Sequence, residues 1–177
     1  MKTVPATRCI LEPQVEAHAS EMFRVLSDPA IYEFENEPPR SEEELAARYK
    51  RLESRASADG QEQWLNWVVR LPTGELAGYV QATVLPSRTG YVAYELNSKH
   101  WRQGIGSSAV AAMLSELCST YGVETFFAVL KVKNFRSEAL LKSLGFDRAS
   151  EEQQHQHRDE QDELVMVKTA APAQNPV

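Results

Sequence analysis

The sequence predicts a mixed α/β sheet in which helices come first, an antiparallel meander follows, and a parallel strand–helix–strand step closes the fold. Three observations carry this. Strand-forming runs at 64–71, 76–85 and 91–96 are separated only by the short turns P-T-G-E and P-S-R-T-G, and turns that short join antiparallel neighbours. A long helical pattern then separates 91–96 from the continuous apolar run T-F-F-A-V-L-K-V at 125–132, so this connection is a parallel, right-handed crossover. Ahead of the meander, apolar residues recur at helical rather than alternating spacing.

The elements follow in order. Residues 8–12 read as a short strand ended by Pro13. Over 15–26, Val15, Ala19, Met22, Phe23 and Leu26 share a helical face, and Asp28-Pro29 stops that helix. The next loop, I-Y-E-F-E-N-E-P-P, carries Glu33, Glu35 and Glu37 and reads as a solvated acidic segment. Ser41 with Glu44 is a capping box; Leu45, Tyr49, Leu52 and Ala56 mark the buried face of the helix it opens, closed by A-D-G at 58–60. After the meander, Ile105, Ala109, Ala112, Met113 and Leu117 mark the long helix, with Gly122 as its stop. Asn134 caps another helix, which runs through Leu144 to Gly145, and 164–168 is a last strand. In between, E-E-Q-Q-H-Q-H-R-D-E-Q-D-E reads as a polar hairpin connection; His155, His157 and Asp159 could bind a metal only as one face of a strand, so no metal is expected. The chain is expected to be one domain over 1–168, without internal repeats, followed by a disordered tail at 169–177.

Bulk properties exclude several classes. A formal charge of −6 argues against a broad nucleic-acid surface. The two cysteines, Cys9 and Cys118, form neither a disulfide framework nor a zinc signature. No apolar stretch approaches the ~20 residues a bilayer span requires. The expectation is a cytoplasmic protein without nucleic-acid or membrane partners, a monomer or a homodimer.

One junction asks for a ligand. H-W-R-Q-G-I-G-S-S lies between the third meander strand and the long helix. The first N–H groups of a helix have no acceptor inside it, and the helix dipole is positive at that end. Gly104 and Gly106 remove the Cβ atoms that would hold a bulky anion away, Ser107 and Ser108 add hydroxyls, and Arg102 adds a charge. Together they describe a phosphate or diphosphate cradle. Gly104-I-Gly106-S-S-Ala109 also fits a dinucleotide fingerprint, with Glu124 about 20 positions on. Placement rules it out: Glu124 precedes the following strand instead of ending it, and the motif follows a meander instead of opening a parallel unit. Nor does a G-K-S/T follow, as a Walker loop requires.

W-R-Q-Gly104-I-Gly106 resembles the Q/R-x-x-G-x-G/A signature of the GNAT N-acetyltransferases, with Trp101 at the first position as in the branch similar to ribosomal-protein alanine acetyltransferases. Asn134-F-R-Ser137, followed by L-L-K-S-L-Gly145-Phe146, resembles a second family motif, and the element order agrees from about Arg8 to Lys168. The resemblance implies the acyl-CoA N-acyltransferase fold, acetyl-CoA as co-substrate and a primary amine as acceptor, on a protein N-terminus, a peptide or a small molecule. It places the coenzyme A arm beside 94–98, with Leu96 and Ser98 among its contacts. It places the diphosphate on Gln103, Gly104, Ile105, Gly106, Ser107 and Ser108, with Arg102 and Asn134 nearby.

Attack of an amine on a thioester needs a base, an oxyanion donor and an acid for the departing thiolate. Glu95 is the first choice for the base, since Tyr91, Ala93 and Glu95 share one face of a strand leading into the cradle; a solvent-facing sheet residue is the plain alternative. Glu151 or Glu152 is the second choice. The resemblance implies a tyrosine acid seven residues after Asn134, where this chain has Leu141. Ser137 is the substitute, unless it only steadies its helix. Tyr94, on the opposite face, reads as core, and His100 as solvated. A non-catalytic acyl-CoA sensor stays open on the absence of a tyrosine at 141.

Overall fold

The computed structural model describes residues 1–34 and 36–170. Among them the elements run β1 (Val4–Pro5), β2 (Ile10–Pro13), α1 (Ala19–Leu26), α2 (Glu42–Leu52), β3 (Gln63–Arg70), β4 (Leu76–Val84), β5 (Thr89–Leu96), α3 (Ile105–Tyr121), β6 (Thr125–Lys131), α4 (Phe135–Ser143), β7 (Asp147–Arg148), α5 (Glu151–His157) and β8 (Glu163–Thr169). The strands form one sheet in the order β1-β2-β3-β4-β5-β6-β8-β7. Every neighbouring pair is antiparallel except β5–β6, the crossover step. This is the mixed sheet the turn lengths and the crossover predict.

The two faces of the sheet bury different helices. Leu65, Trp67, Val69, Val80, Ala82, Val92 and Leu96 pack with Ile105, Ala109, Val110, Met113 and Leu117 of α3 and Leu141 of α4. α3 runs between two left-handed caps, Gly104 and Gly122, and the Gly122 N–H returns to the Leu117 carbonyl. On the other face, Val68, Leu76 and Tyr79 pack against Met22, Val25 and Leu26 of α1 and Leu45 and Tyr49 of α2. Farther along that face, Phe127, Val165 and Tyr91 form a smaller cluster.

Four local expectations need correction. Residues 15–26 do not form one helix: Glu16–His18 is a 3-10 turn, because His18 Nδ1 accepts the Val15 N–H at 3.1 Å, and α1 starts after it. α2 ends at Leu52 and Ala56 pairs with Gln63 as an isolated bridge; Arg55, left-handed at φ 59, turns the chain out of the helix. The polar connection after Ala149 holds a helix, α5. Its start is a Ser150–Gln153 capping box, and His157 docks its ring 4.1 Å from that of Phe127 and bonds the Tyr91 hydroxyl at 2.7 Å. The last strand runs through Thr169, one residue into the stretch read as tail; residues 171–177 lie outside the described residues. No helix among the described residues is long and apolar enough to cross a membrane.

Candidate active site

The parallel step opens into a wedge. β5 and β6 pair only through Thr89, Gly90 and Tyr91 against Thr125, Phe126 and Phe127. Beyond that point β5 runs on to Leu96 and β6 to Lys131 with no ladder between them. Two facing strand edges thus present backbone N–H and C=O groups to the gap. A cavity of about 1120 Å³ fills it, walled by Val92, Tyr94 and Leu96 on one side and Ala128, Val129 and Leu130 on the other.

The start of α3 stands at the mouth of this wedge. Arg102 (φ 58) and Gly104 (φ 73) are both left-handed, a turn of the kind that gathers N–H groups into an anion-binding concavity. The first helical bond is Ser108 N–H to the Gly104 carbonyl, at 3.0 Å, so the N–H groups of Ile105, Gly106 and Ser107 have no acceptor within the helix. A Cβ on Gly106 would lie 3.0 Å from Leu140 Cδ1 and 3.5 Å from Leu96 Cδ1, so glycine lets α4 and β5 close on the helix start. Trp101 Nε1 donates to the Leu96 carbonyl at 2.8 Å, tying the turn to the end of β5. The Arg136 guanidinium lies 4.6 Å from the Trp101 ring centre and 5.1 Å from that of Phe34, and pairs with Glu33. One arginine at the start of α4 therefore joins the glycine turn to the loop between α1 and α2. Glu33 and Glu37 of that loop are exposed, and Glu35 lies outside the described residues.

Of the residues singled out in the sequence, Glu95, Leu96, Arg102, Gly104, Gly106, Ser107, Asn134 and Ser137 line this cavity. Ser98, Gln103, Ile105 and Ser108 are turned to other partners. The Ser98 N–H goes to Asp28 Oδ2 at 2.7 Å, Gln103 Nε2 to the Lys99 carbonyl at 2.7 Å, and Ser108 Oγ accepts the Arg8 N–H at 3.0 Å, while Ile105 is buried in the core. Arg8, missed in the sequence, sits over the cradle: its Nε lies 3.1 Å from where a Cβ on Gly104 would be. No local signal in the sequence marks Arg8, because the approach of the β1–β2 turn to the glycine turn is purely tertiary.

Asn134 Oδ1 accepts the Ser137 N–H at 3.1 Å and caps α4. The Ser137 carbonyl in turn accepts the Tyr94 hydroxyl at 3.3 Å. Tyr94 packs its ring against the core as its face predicts, but its hydroxyl reaches the wedge beside Ser137. Burial, only partly offset by a hydrogen bond with Ser137, pushes the Tyr94 hydroxyl up to about 12, so it keeps its proton near neutrality. Leu141, where the resemblance implies a phenol, is buried in the same wall. On the other side of the cavity Glu95 accepts Asn36 Nδ2 at 3.3 Å and the Tyr79 hydroxyl. Burial, then the Glu95 charge, hold the Tyr79 hydroxyl well above its ordinary range.

Two further sequence-marked acids stand away from the cavity, whereas His100 lines it. Glu151 and Glu152 are exposed in the first turn of α5 and do not line the cavity. His100 is not solvated: it is 7% exposed, and burial lowers its pKa against the pull of Glu75. Among the described residues, no group of three or more His, Cys, Asp or Glu side chains is arranged to hold a metal ion.

A splayed parallel pair with a glycine-capped helix start at its mouth defines an acyl-CoA-dependent transferase. Residues 8–147 match the acetyltransferase (GNAT) domain model, and the chain belongs to that family. Among curated relatives, the "Uncharacterized N-acetyltransferase YoaA" of Bacillus subtilis (strain 168) is 24% identical over 86% of either chain. Among solved structures, RimL, the ribosomal L7/L12 alpha-N-protein acetyltransferase in complex with coenzyme A, superposes with a TM-score of 0.78 at 18% identity, covering 94% of this chain and 97% of its own. A spermidine N-acetyltransferase SpeG chimera from Vibrio cholerae and hSSAT gives 0.74 at 17% identity, covering 92% and 96%. The same fold therefore serves a protein N-terminus in one neighbour and a polyamine in another.

Proposed function

We propose that the chain moves an acetyl group from acetyl-CoA to a primary amine by direct attack of the amine on the thioester, and that the wedge between β5 and β6 is where the reactants meet. The observation that carries this is the coincidence of two unpaired strand edges with the unsatisfied helix start of α3 at one cavity. When bound, acetyl-CoA supplies the activated acyl group. The N–H groups of Ile105, Gly106 and Ser107, with Arg102 and Arg8, hold the diphosphate. The exposed edge of β5 near Leu96 pairs with the extended arm and offers an N–H to the developing oxyanion. Glu95, held by Tyr79 and Asn36, takes the amine proton directly or through water. Tyr94, protonated at neutral pH and next to Ser137, gives a proton to the leaving thiolate. The sensor alternative drew on the absence of a phenol at 141; Tyr94 brings one to the same wall from β5, which supports turnover.

The test is thiol release from acetyl-CoA with a panel of amines, for the wild type, Glu95→Gln, Tyr94→Phe and Ser137→Ala. General acid and base groups are each worth roughly 10²–10⁴ in rate. Loss of that order in kcat for Glu95→Gln, with the affinity for coenzyme A kept, supports the assignment. Wild-type rates in Glu95→Gln and in Tyr94→Phe would remove both roles.

A further inference from the structure

The sheet face under α1 and α2 is polar where a covered face should be apolar. The register aligns Asn66 with Gln81 and Ala93, and, one pleat along, Val68 with Tyr79 and Glu95. Val68 and Tyr79 pack against the two helices as a core face requires, yet Asn66, only 5% exposed, and Gln81 line the cavity on the same side. Buried polar side chains of this kind are kept where something polar meets them.

The helix above repeats the anomaly. Leu45, Arg48, Tyr49 and Leu52 of α2 all line the cavity, at the i, i+3, i+4, i+7 spacing of one helical face. That inward row contains one cation. Arg48 is exposed and makes no ion pair among the described residues, and Glu33, in the loop between α1 and α2, is taken by Arg136. Tyr49 is 3% exposed, and its hydroxyl is buried without a hydrogen-bond partner among the described residues. A buried hydroxyl with no partner among the described residues, next to an exposed guanidinium with no ion pair among them, both on the cavity wall, is a donor set for a compact anion. Glu95 and Glu37 line the same space, so an acceptor there meets both signs of charge.

The geometry points to an acceptor that carries a carboxylate close to its reactive amine, an amino-acid-like zwitterion, with Arg48 and the Tyr49 hydroxyl binding the carboxylate while Glu95 faces the ammonium. This deepens the transferase reading and rests on it. Arg48 and Tyr49 act here as specificity-determining residues and not on the reacting bond.

The experiment compares kcat/KM for sets of acceptors with constant side chains: a free L-amino acid, its amide, its decarboxylated amine, and a tripeptide starting with that residue. The expected result is a preference for the free acid of tenfold or more. Arg48→Met should erase it through KM, with kcat and the Kd for coenzyme A each within about twofold of wild type; Tyr49→Phe should weaken it in part. Amide or tripeptide turned over as well as the acid would overturn this inference while leaving the transferase reading intact, as would an Arg48→Met loss spread equally over all acceptors. No turnover with any amine, coenzyme A still bound, would overturn both. The wild-type preference is decisive even if a variant fails to fold.

Discussion

Gly106→Asp separates the anion cradle from its structural role, because the two respond with different magnitudes. In the folded chain a Cβ at 106 meets the terminal methyl of Leu140 at 3.0 Å and that of Leu96 at 3.5 Å. Both neighbours are ends of flexible side chains and can give by a few tenths of an ångström. Replacing the helical glycine by Asp also gains about 0.3 kcal/mol of helix propensity, and a carboxylate in the first turn gains about 0.3–1 kcal/mol from the dipole. Stability without ligand should therefore change by no more than about 1 kcal/mol in either direction. The diphosphate responds otherwise. A carboxylate placed within about 5 Å of two phosphate charges, at a half-exposed mouth between the water and protein limits, costs roughly 2–3 kcal/mol, or about 30- to 150-fold in Kd. Gly106→Ala carries the same Cβ without the charge and should lose far less. Calorimetric titration with coenzyme A reads the affinities, and thermal unfolding with and without coenzyme A reads the linked stabilisation. The Asp penalty should shrink as salt rises. If the Asp and Ala variants bind within about threefold of each other, a spread worth less than 1 kcal/mol, the diphosphate does not sit at this helix start.

Other expectations follow from the same geometry. Tyr94→Phe should lower kcat by about 10- to 100-fold while sparing KM for acetyl-CoA, Ser137 remaining as a donor. Since burial pushes the wild-type hydroxyl up to about 12, the pH profile of kcat should show no fall assignable to Tyr94 below about pH 10; a Phe variant at wild-type rate refutes the role. Gly78→Ala should lose about 3 kcal/mol or more in urea unfolding, because its Cβ would stand 2.0 Å from the Glu95 carbonyl oxygen and 2.7 Å from Leu96 Cα, where only backbone could move; a loss under about 1 kcal/mol would contradict that packing. Asp28→Ala should cost about 1–2 kcal/mol at pH 7. Its carboxylate accepts the N–H groups of Ser98 at 2.7 Å and Ala30 at 3.0 Å. Burial alone would raise its pKa, but the bonds from Ser98 and Ala30 outweigh it and hold the value below normal. A depressed folded pKa means the contribution is present above the unfolded value and lost as pH falls through the folded one, so wild type and variant should converge under strongly acidic unfolding conditions.

How much of this the sequence makes legible follows from the range over which each feature is determined. The meander, the crossover helix between Gly104 and Gly122, and the glycine turn at its start are set by turn chemistry and periodicity within a few residues, and all were legible. Gly78 also carried a signal, since a lone glycine within a strand pattern marks close backbone approach. The wedge carried none. Nothing in T-F-F-A-V-L-K-V says that β6 leaves β5 after Phe127, because an apolar run reads the same whether its edge is paired or open. That one tertiary fact changes the meaning of two residues. Tyr94 reads as core by its face, and its ring is core, but an open edge brings its hydroxyl to Ser137. Leu141 reads as a missing acid only if the acid must come from α4. The polar character of α2's inward row was readable, since Arg48 falls at i+3 in the row of Leu45, Tyr49 and Leu52. Sequence alone does not single it out, because an arginine on a helix is ordinarily solvated, and only the cavity beneath it makes the position unusual. The glycine turn was therefore legible because its determinants are local, while the proposed acid and the proposed acceptor contacts were not, because they depend on how strands and helices part around one cavity.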